Sequence, residues 1–424
     1  MTRARRLASS AAPLTSRTRT ALVALAALIV VGALGAIGAV SVGKQLRSGN
    51  DFPIYWGAAR TLAAGGSPYD VASGLHGYVY PPFLALVLIP VGALPLGVAA
   101  WIWFVLSAAA AALACRVALR LVRRGWGPGG LARWALAAWL PLAGLAADNA
   151  ALGQANLILL ALGVAGSAEL LRRRDLRGGG LIGLAAAVKP HLALLLVPGL
   201  LRGRWRLAAG SAAALLLAGA VLPLAVVGPA RTATLWREWG EKVMVPAREG
   251  TLQGSTVWDQ SPQAGLRRLL VDAPAFDRTG VHVASLGPEA FGLVSRAWSA
   301  LAGAILIAVW GFAPRRDDPR AELLDQGLAF TGTLLLVGYS LKAHFVALLL
   351  PLAIATALAR GRKGGIAVVA AADLLILLGN PGIAGRTVSN WCLAYSCITA
   401  ATLLLAGFLA VRRLRLTPPR RAER

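Results

Sequence analysis

The chain reads as an all-α, polytopic membrane protein, and three observations say so. Hydrophobic residues fill 57% of its 424 positions and charged residues only 14%, giving a mean hydropathy of +0.65. Several apolar runs approach the roughly 20 residues that a helix needs to cross a bilayer. Most of the 43 lysines and arginines fall in short segments between those runs, the pattern of cytoplasmic loops under the positive-inside rule. A net charge of +25 in a soluble protein would suggest nucleic acid. Distributed this way it sets membrane orientation, and no nucleic-acid partner is expected.

The basic segments are 3–19, 116–133, 172–177, 202–206, 315–320, 360–363 and 412–424. With all seven in the cytoplasm the chain threads consistently. Segment 21–42 goes out, 97–119 in, 131–147 out, 154–171 in, 207–227 out, 291–312 in, 323–339 out, 344–359 in, 366–378 out and 391–411 in. The first is read as a retained helix, not a removed signal. Segment 82–94 is too short for a crossing. Segment 178–201 carries Lys189-Pro190 at its centre. Proline lacks a donor and holds its predecessor out of the helical region, so this segment reads as two half-helices meeting at Lys189. Ten to thirteen helical segments result. They form one domain over 21–412 between basic tails at 1–20 and 413–424, with external loops at 43–81 and 228–290. The expected location is the plasma membrane. Cys115, Cys392 and Cys397 lack zinc-site spacing and read as packing residues.

The threading collects polar residues at the external ends of helices. Asp51 and Tyr55 follow the first span, in Asp51-Phe52-Pro53-Ile54-Tyr55-Trp56. Tyr80 precedes two prolines. Gln154 and Asn156 open an inward helix. Trp258 and Gln260 lie in the long loop, Lys342 and His344 at a late turn, and Lys189 at the half-helix junction. An aspartate is too short to snorkel from the membrane edge, so Asp51 reads as a functional acid or base. Asp70 reads as a helix cap. Asp373, inside an apolar span, is expected to have a buried partner.

Five blocks in order then carry a resemblance. They are Asp-Phe-x-x-Tyr-Trp-x-Ala-Ala-Arg at 51–60, Ala-Gly-Gly-x-Pro-Tyr-Asp at 64–70, Tyr-Pro-Pro-Phe at 80–83, Gly-Gln-x-Asn-Leu at 153–157 and Gly-Leu-Ala-Ala-Ala-Val-Lys-Pro at 183–190. Together they resemble the actinobacterial polyprenol-phosphate-dependent glycosyltransferases of family GT87. The block 259–266 is similar to that family's Asn-Gln-Ser-Leu-x-Gly segment, with Asp259 in place of the usual Asn. The family often has Ser-Pro and further histidines near the third-last helix, where this chain has Ser340-Leu341 and one histidine, His344.

The resemblance implies a GT-C fold with its active site open to the outer face. It implies transfer of a hexosyl residue, mannosyl first, from a polyprenyl-phosphate sugar to a lipid-linked glycan. Arabinofuranosyl transfer is the alternative. It carries the role of catalytic base onto Asp51. An inverting displacement needs one base and no enzyme nucleophile, and cations must steady the departing phosphate. Lys342, His344 and Lys189 are the candidates for the phosphate. Tyr55, Tyr80, Gln154, Asn156, Trp258 and Gln260 are candidates for substrate contact. Carboxylates are not grouped, so neither metal nor cofactor is expected. A flippase or transporter of lipid-linked sugars is the competing class. It should show paired halves and midplane charges, and this chain concentrates its polar residues at one face.

Overall fold

The computed structural model describes residues 32–47, 50–71, 77–127, 139–246, 256–272, 280–314 and 318–416. Regular structure among them is helical, plus one isolated β-bridge between Asp259 and Leu341. Five helices are long and apolar enough to cross a membrane: Leu96–Trp126, Trp205–Met244, Pro288–Phe312, Lys342–Ala359 and Cys397–Leu414. Asn156–Leu171 and Pro190–Leu200 are shorter apolar helices. The chain is a multi-pass membrane protein.

Burial separates inner helices from outer ones. Every residue from Ala321 to Leu335 of helix Pro319–Leu335 is buried, as expected of a helix surrounded by others. Helix Pro288–Phe312 instead leaves Leu293, Leu301, Ile305, Ile307 and Phe312 exposed, an apolar exterior that suits lipid. Helices Asp175–Val188 and Trp205–Leu216 lie backbone to backbone. A Cβ on Gly179 would overlap the Leu207 carbonyl, and one on Gly210 the Leu176 carbonyl. Small residues permit this approach between membrane helices.

The half-helix reading of 178–201 is found in the structure. Helix Asp175–Val188 ends at Lys189, which is extended (φ −126°, ψ 97°), and a 3₁₀ segment Pro190–Leu196 follows. Other expected bounds shift. The run 207–227 continues as a helix to Met244 through a kink at Gly228 (φ 77°). The start of the presumed loop 228–290 is therefore helical. The run 391–411 is broken at Ser396, which is left-handed (φ 59°) between helices Arg386–Ala394 and Cys397–Leu414. The Arg268 guanidinium donates to Ser396 Oγ at 2.7 Å and holds the break. The expected run 323–339 is the helix Pro319–Leu335, which stops four residues short of 339, and 366–378 falls in the helix Lys363–Leu378. Segment 82–94 is two short helices, Pro82–Val87 and Ile89–Gly92. Of segment 131–147, residues 131–138 lie outside the described residues, as do 21–31 of the first span and most of both tails.

Two smaller expectations change. Asp70 caps no helix among the described residues: Ser67 caps the 3₁₀ turn Pro68–Asp70, while Asp70 pairs with Lys242 at 2.5 Å. The expected partner of Asp373 is not found for its buried Oδ1, which makes no hydrogen bond among the described residues.

Candidate active site

The site is built on the turn between Leu142–Leu152 and Asn156–Leu171. Gly153 supplies a left-handed residue there (φ 70°, ψ 31°), a conformation that costs glycine little. A Cβ at Gly153 would lie 2.5 Å from Phe52 Cβ, so the turn presses directly on helix Asp51–Ala63. Phe52 is fully buried and stacks on Trp103 at 5.4 Å between centroids. Trp103 Nε1 donates to the Gly153 carbonyl at 2.7 Å, and Gln45 Nε2 to the Ala150 carbonyl at 2.6 Å. These contacts fix where Asp51 stands. It opens its helix, where a carboxylate suits the helix dipole. Asn50 is the N-cap residue.

Seven of the residues singled out from sequence meet at this end. Asn156 Nδ2 donates to Gln154 Oε1 at 2.5 Å, and Asn156 Oδ1 accepts from Lys189 Nζ at 2.6 Å. Lys189 Nζ also lies 2.9 Å from His344 Nε2. An ammonium has only donors, so His344 accepts through Nε2 and carries its proton on Nδ1. Lys189 stands over the Tyr80 ring, 5.6 Å from its centroid. Tyr80 and Tyr55 join hydroxyl to hydroxyl at 2.9 Å with rings edge to face. Asp51 is close enough to act electrostatically on Lys189, Tyr55 and Tyr80.

Lys189 is 8% exposed, and its extended backbone is what turns it out of the helix ladder into this cluster. Burial raises the Tyr55 and Tyr80 phenols well above their usual range, and the Asp51 charge raises them further. Both therefore stay protonated near neutrality and serve as hydrogen-bonding walls.

Three candidates stand apart from the cluster. Lys342 is bound to Asp148 at 2.8 Å, a salt bridge that joins its turn to the one before Gly153. Gln260 is fully buried, and its Nε2 donates to the carbonyls of Val257 and Leu393 at 2.7 and 2.8 Å. Its amide thus braces the protein. Trp258 is exposed, though its carbonyl accepts from Lys342 N at 2.8 Å. Asp259 Oδ1 accepts from the backbone amides of Ser261 and Ser340 at 2.9 and 3.0 Å. Block 259–266 is thus a clamp that fixes the His344 turn from behind.

Two residues missed from sequence belong to the neighbourhood. His191 acts electrostatically on His344 and feels Lys189. Tyr339 packs edge-on to His344 at 6.4 Å and is within range of Asp51. Both flank a residue that was chosen, which was the available signal.

Fold and site define a helical membrane protein with a buried cation held by neutral partners at one end of the bundle. The comparisons give it a family. The model of glycosyltransferase family 87 (GT87) matches residues 78–338, and the chain belongs to that family of enzymes. That match takes in Tyr80, Gln154, Asn156, Lys189, Trp258 and Gln260; Asp51, Tyr55, Lys342 and His344 lie outside it. Among solved structures the chain is similar to ArnT from Cupriavidus metallidurans bound to undecaprenyl phosphate, at 16% identity over 91% of this chain and 77% of that one, with a TM-score of 0.49. ArnT from the same organism in the apo state matches at 16% identity over 93% and 78%, with a TM-score of 0.41. Comparison with curated proteins finds no match.

Proposed function

We propose that this glycosyltransferase moves a sugar from a polyprenyl-phosphate donor to a hydroxyl of a lipid-linked glycan at the outer membrane face, with inversion. Mannose is the donor sugar favoured by the sequence resemblance. Asp51 takes the proton of the acceptor hydroxyl. The acceptor oxygen bonds to C1 from the side opposite the phosphate, and the C1–O bond to phosphate breaks. Polyprenyl monophosphate leaves with the electron pair. Lys189 faces the charge that builds on the leaving oxygen. Asn156 and His344 take two of its three N–H donors, and the third, which has no hydrogen-bond partner among the described residues, can serve a phosphate oxygen. His344 and Asn156, the latter held in turn by Gln154, keep the ammonium in place, while Tyr55 and Tyr80 wall the acceptor side.

The observation that carries this reading is the convergence of Asp51, Lys189 and His344 from three distant stretches of chain. Lys189 touches His344 at 2.9 Å and lies within the field of Asp51. The test is transfer by purified protein from each polyprenyl-phosphate sugar in turn, with Asp51→Asn alongside. We expect one sugar to be transferred, and the variant to insert normally but lose about 10²–10⁴-fold in rate. Transfer by Asp51→Asn at near the parent rate would remove the base; transfer of none of the sugars would remove the donor class.

A further inference from the structure

A second polar feature lies about 20 Å from the first, since Asn156 and Glu169 belong to one helix rising 1.5 Å per residue. There a cavity of about 880 Å³ opens between helices Leu96–Trp126, Asn156–Leu171, Asp175–Val188 and Trp205–Leu216. Arg120, Arg124, Arg172 and Arg177 line it, with Glu169 as its acid. Arg172 binds Glu169 at 2.6 Å, and Arg174 lies 3.6 Å from it. Arg120, Arg124 and Arg177 have no ion pair among the described residues. Arg120 and Arg124 are four apart on one helix and project together. The remaining wall is apolar, including Val117, Leu181, Leu184 and Leu217. It faces outward beside Leu215 and Leu216, which are exposed.

A cavity with a surplus of guanidinium groups at one end and an aliphatic wall fits a molecule of the same polarity. We infer that it binds an anionic membrane phospholipid, with the phosphodiester at Arg120, Arg124 and Arg177 and an acyl chain along Leu181, Leu184 and Leu217. Free phosphate would leave the aliphatic wall empty. Guanidinium groups pair with phosphate oxygens through matched donors, and each basic group near an anionic headgroup strengthens its hold. The helix pair beneath the cavity also carries Asn156 and Lys189, so an occupant would brace the two helices that present the cluster. The inference stands apart from the reading of the transferred sugar.

The test is native mass spectrometry of the purified full chain with dioleoyl-phosphatidylglycerol, dioleoyl-phosphatidylcholine or a polyprenyl monophosphate. We expect retention of phosphatidylglycerol over phosphatidylcholine. Replacing three arginines (Arg120→Gln, Arg124→Gln, Arg177→Gln) should weaken retention by about tenfold or more. Ala165→Phe, which fills the cavity and keeps every arginine, should weaken it as well, and it decides the matter if the triple variant does not fold. Equal retention of the two phospholipids, or undiminished retention by both variants, overturns the site. Loss in the triple variant but not in Ala165→Phe means surface attraction only and overturns it too. Displacement of phosphatidylglycerol by equimolar polyprenyl monophosphate, or by millimolar inorganic phosphate, overturns the choice of occupant.

Discussion

Two groups of charge lie at opposite ends of helix Asp175–Val188, and they are solved differently. At the start of that helix, Arg204 binds Asp175, with Nε to Oδ2 at 3.0 Å, and Glu322 at 2.6 Å. Arg413, which is fully buried, binds Asp325 at 2.9 Å, and Arg202 reaches the same carboxylate. Arg202, Arg204 and Arg413 each meet an acid. At the other end Lys189 is gripped by an amide and an imidazole, both neutral acceptors. Closing a buried charge with its opposite makes a strut. Holding it with neutral groups orients it and keeps its field available to an incoming anion, which in the proposed mechanism is the donor phosphate.

The comparison is broken or upheld by one pair of variants. Lys189→Met keeps the stem and removes the charge. We expect a loss of about 10²–10³ in transfer rate, with thermal stability near the parent value. Asp325→Ala strands Arg413, leaves Arg202 with only the more distant Glu322 at 3.6 Å, and should cost about 3–5 kcal/mol of stability, while the folded fraction turns over normally. Detergent-phase thermal melts and initial rates read both. If Lys189→Met unfolds as readily as Asp325→Ala, the two ends are alike and the cluster is a strut.

Gly153 sharpens the comparison because it joins fold to site. Gly153→Ala forces a side chain into a left-handed residue and against Phe52. We expect about 1–3 kcal/mol of destabilisation, together with a lower rate, because Asp51 is displaced relative to Gln154 and Asn156. An unaltered melt and rate would mean that the turn has slack and does not set the position of Asp51.

The polar cluster was legible in the sequence because its members fall at helix ends or beside prolines, where side chains leave the helix ladder. Lys189-Pro190 is the clearest case, since proline alone dictates the extended residue that swings the ammonium inward. Fold class was legible from apolar runs and basic segments. What each polar side chain would touch was not. Lys342 and Lys189 look alike in sequence, yet one meets Asp148 and the other Asn156. Gln260 sits near an exposed tryptophan, but its own amide is consumed by the backbone carbonyls of Val257, three residues back, and of Leu393 in a distant helix. Long helices were also misjudged where apolar runs ignore joints, as at Ser396, whose left-handed turn depends on Arg268 from another segment.

The clamp that holds the His344 turn gives a smaller effect. Gln260→Ala removes an amide that bridges Val257 and Leu393 in the interior, and a buried group left without its partner costs about 1–3 kcal/mol. The melt should fall while the acceptor KM of the folded enzyme stays put. Trp258, two residues earlier, should behave in the opposite way. It is 57% exposed, so Trp258→Ala should change stability by no more than about 0.5 kcal/mol. If its ring stacks on an acceptor sugar, a contact of about 0.5–1.5 kcal/mol is lost, and acceptor KM rises about two- to tenfold with kcat unchanged. A steady KM would make Trp258 a membrane-edge residue. Gln260 would then brace the site from behind, and neither residue would contribute to acceptor recognition.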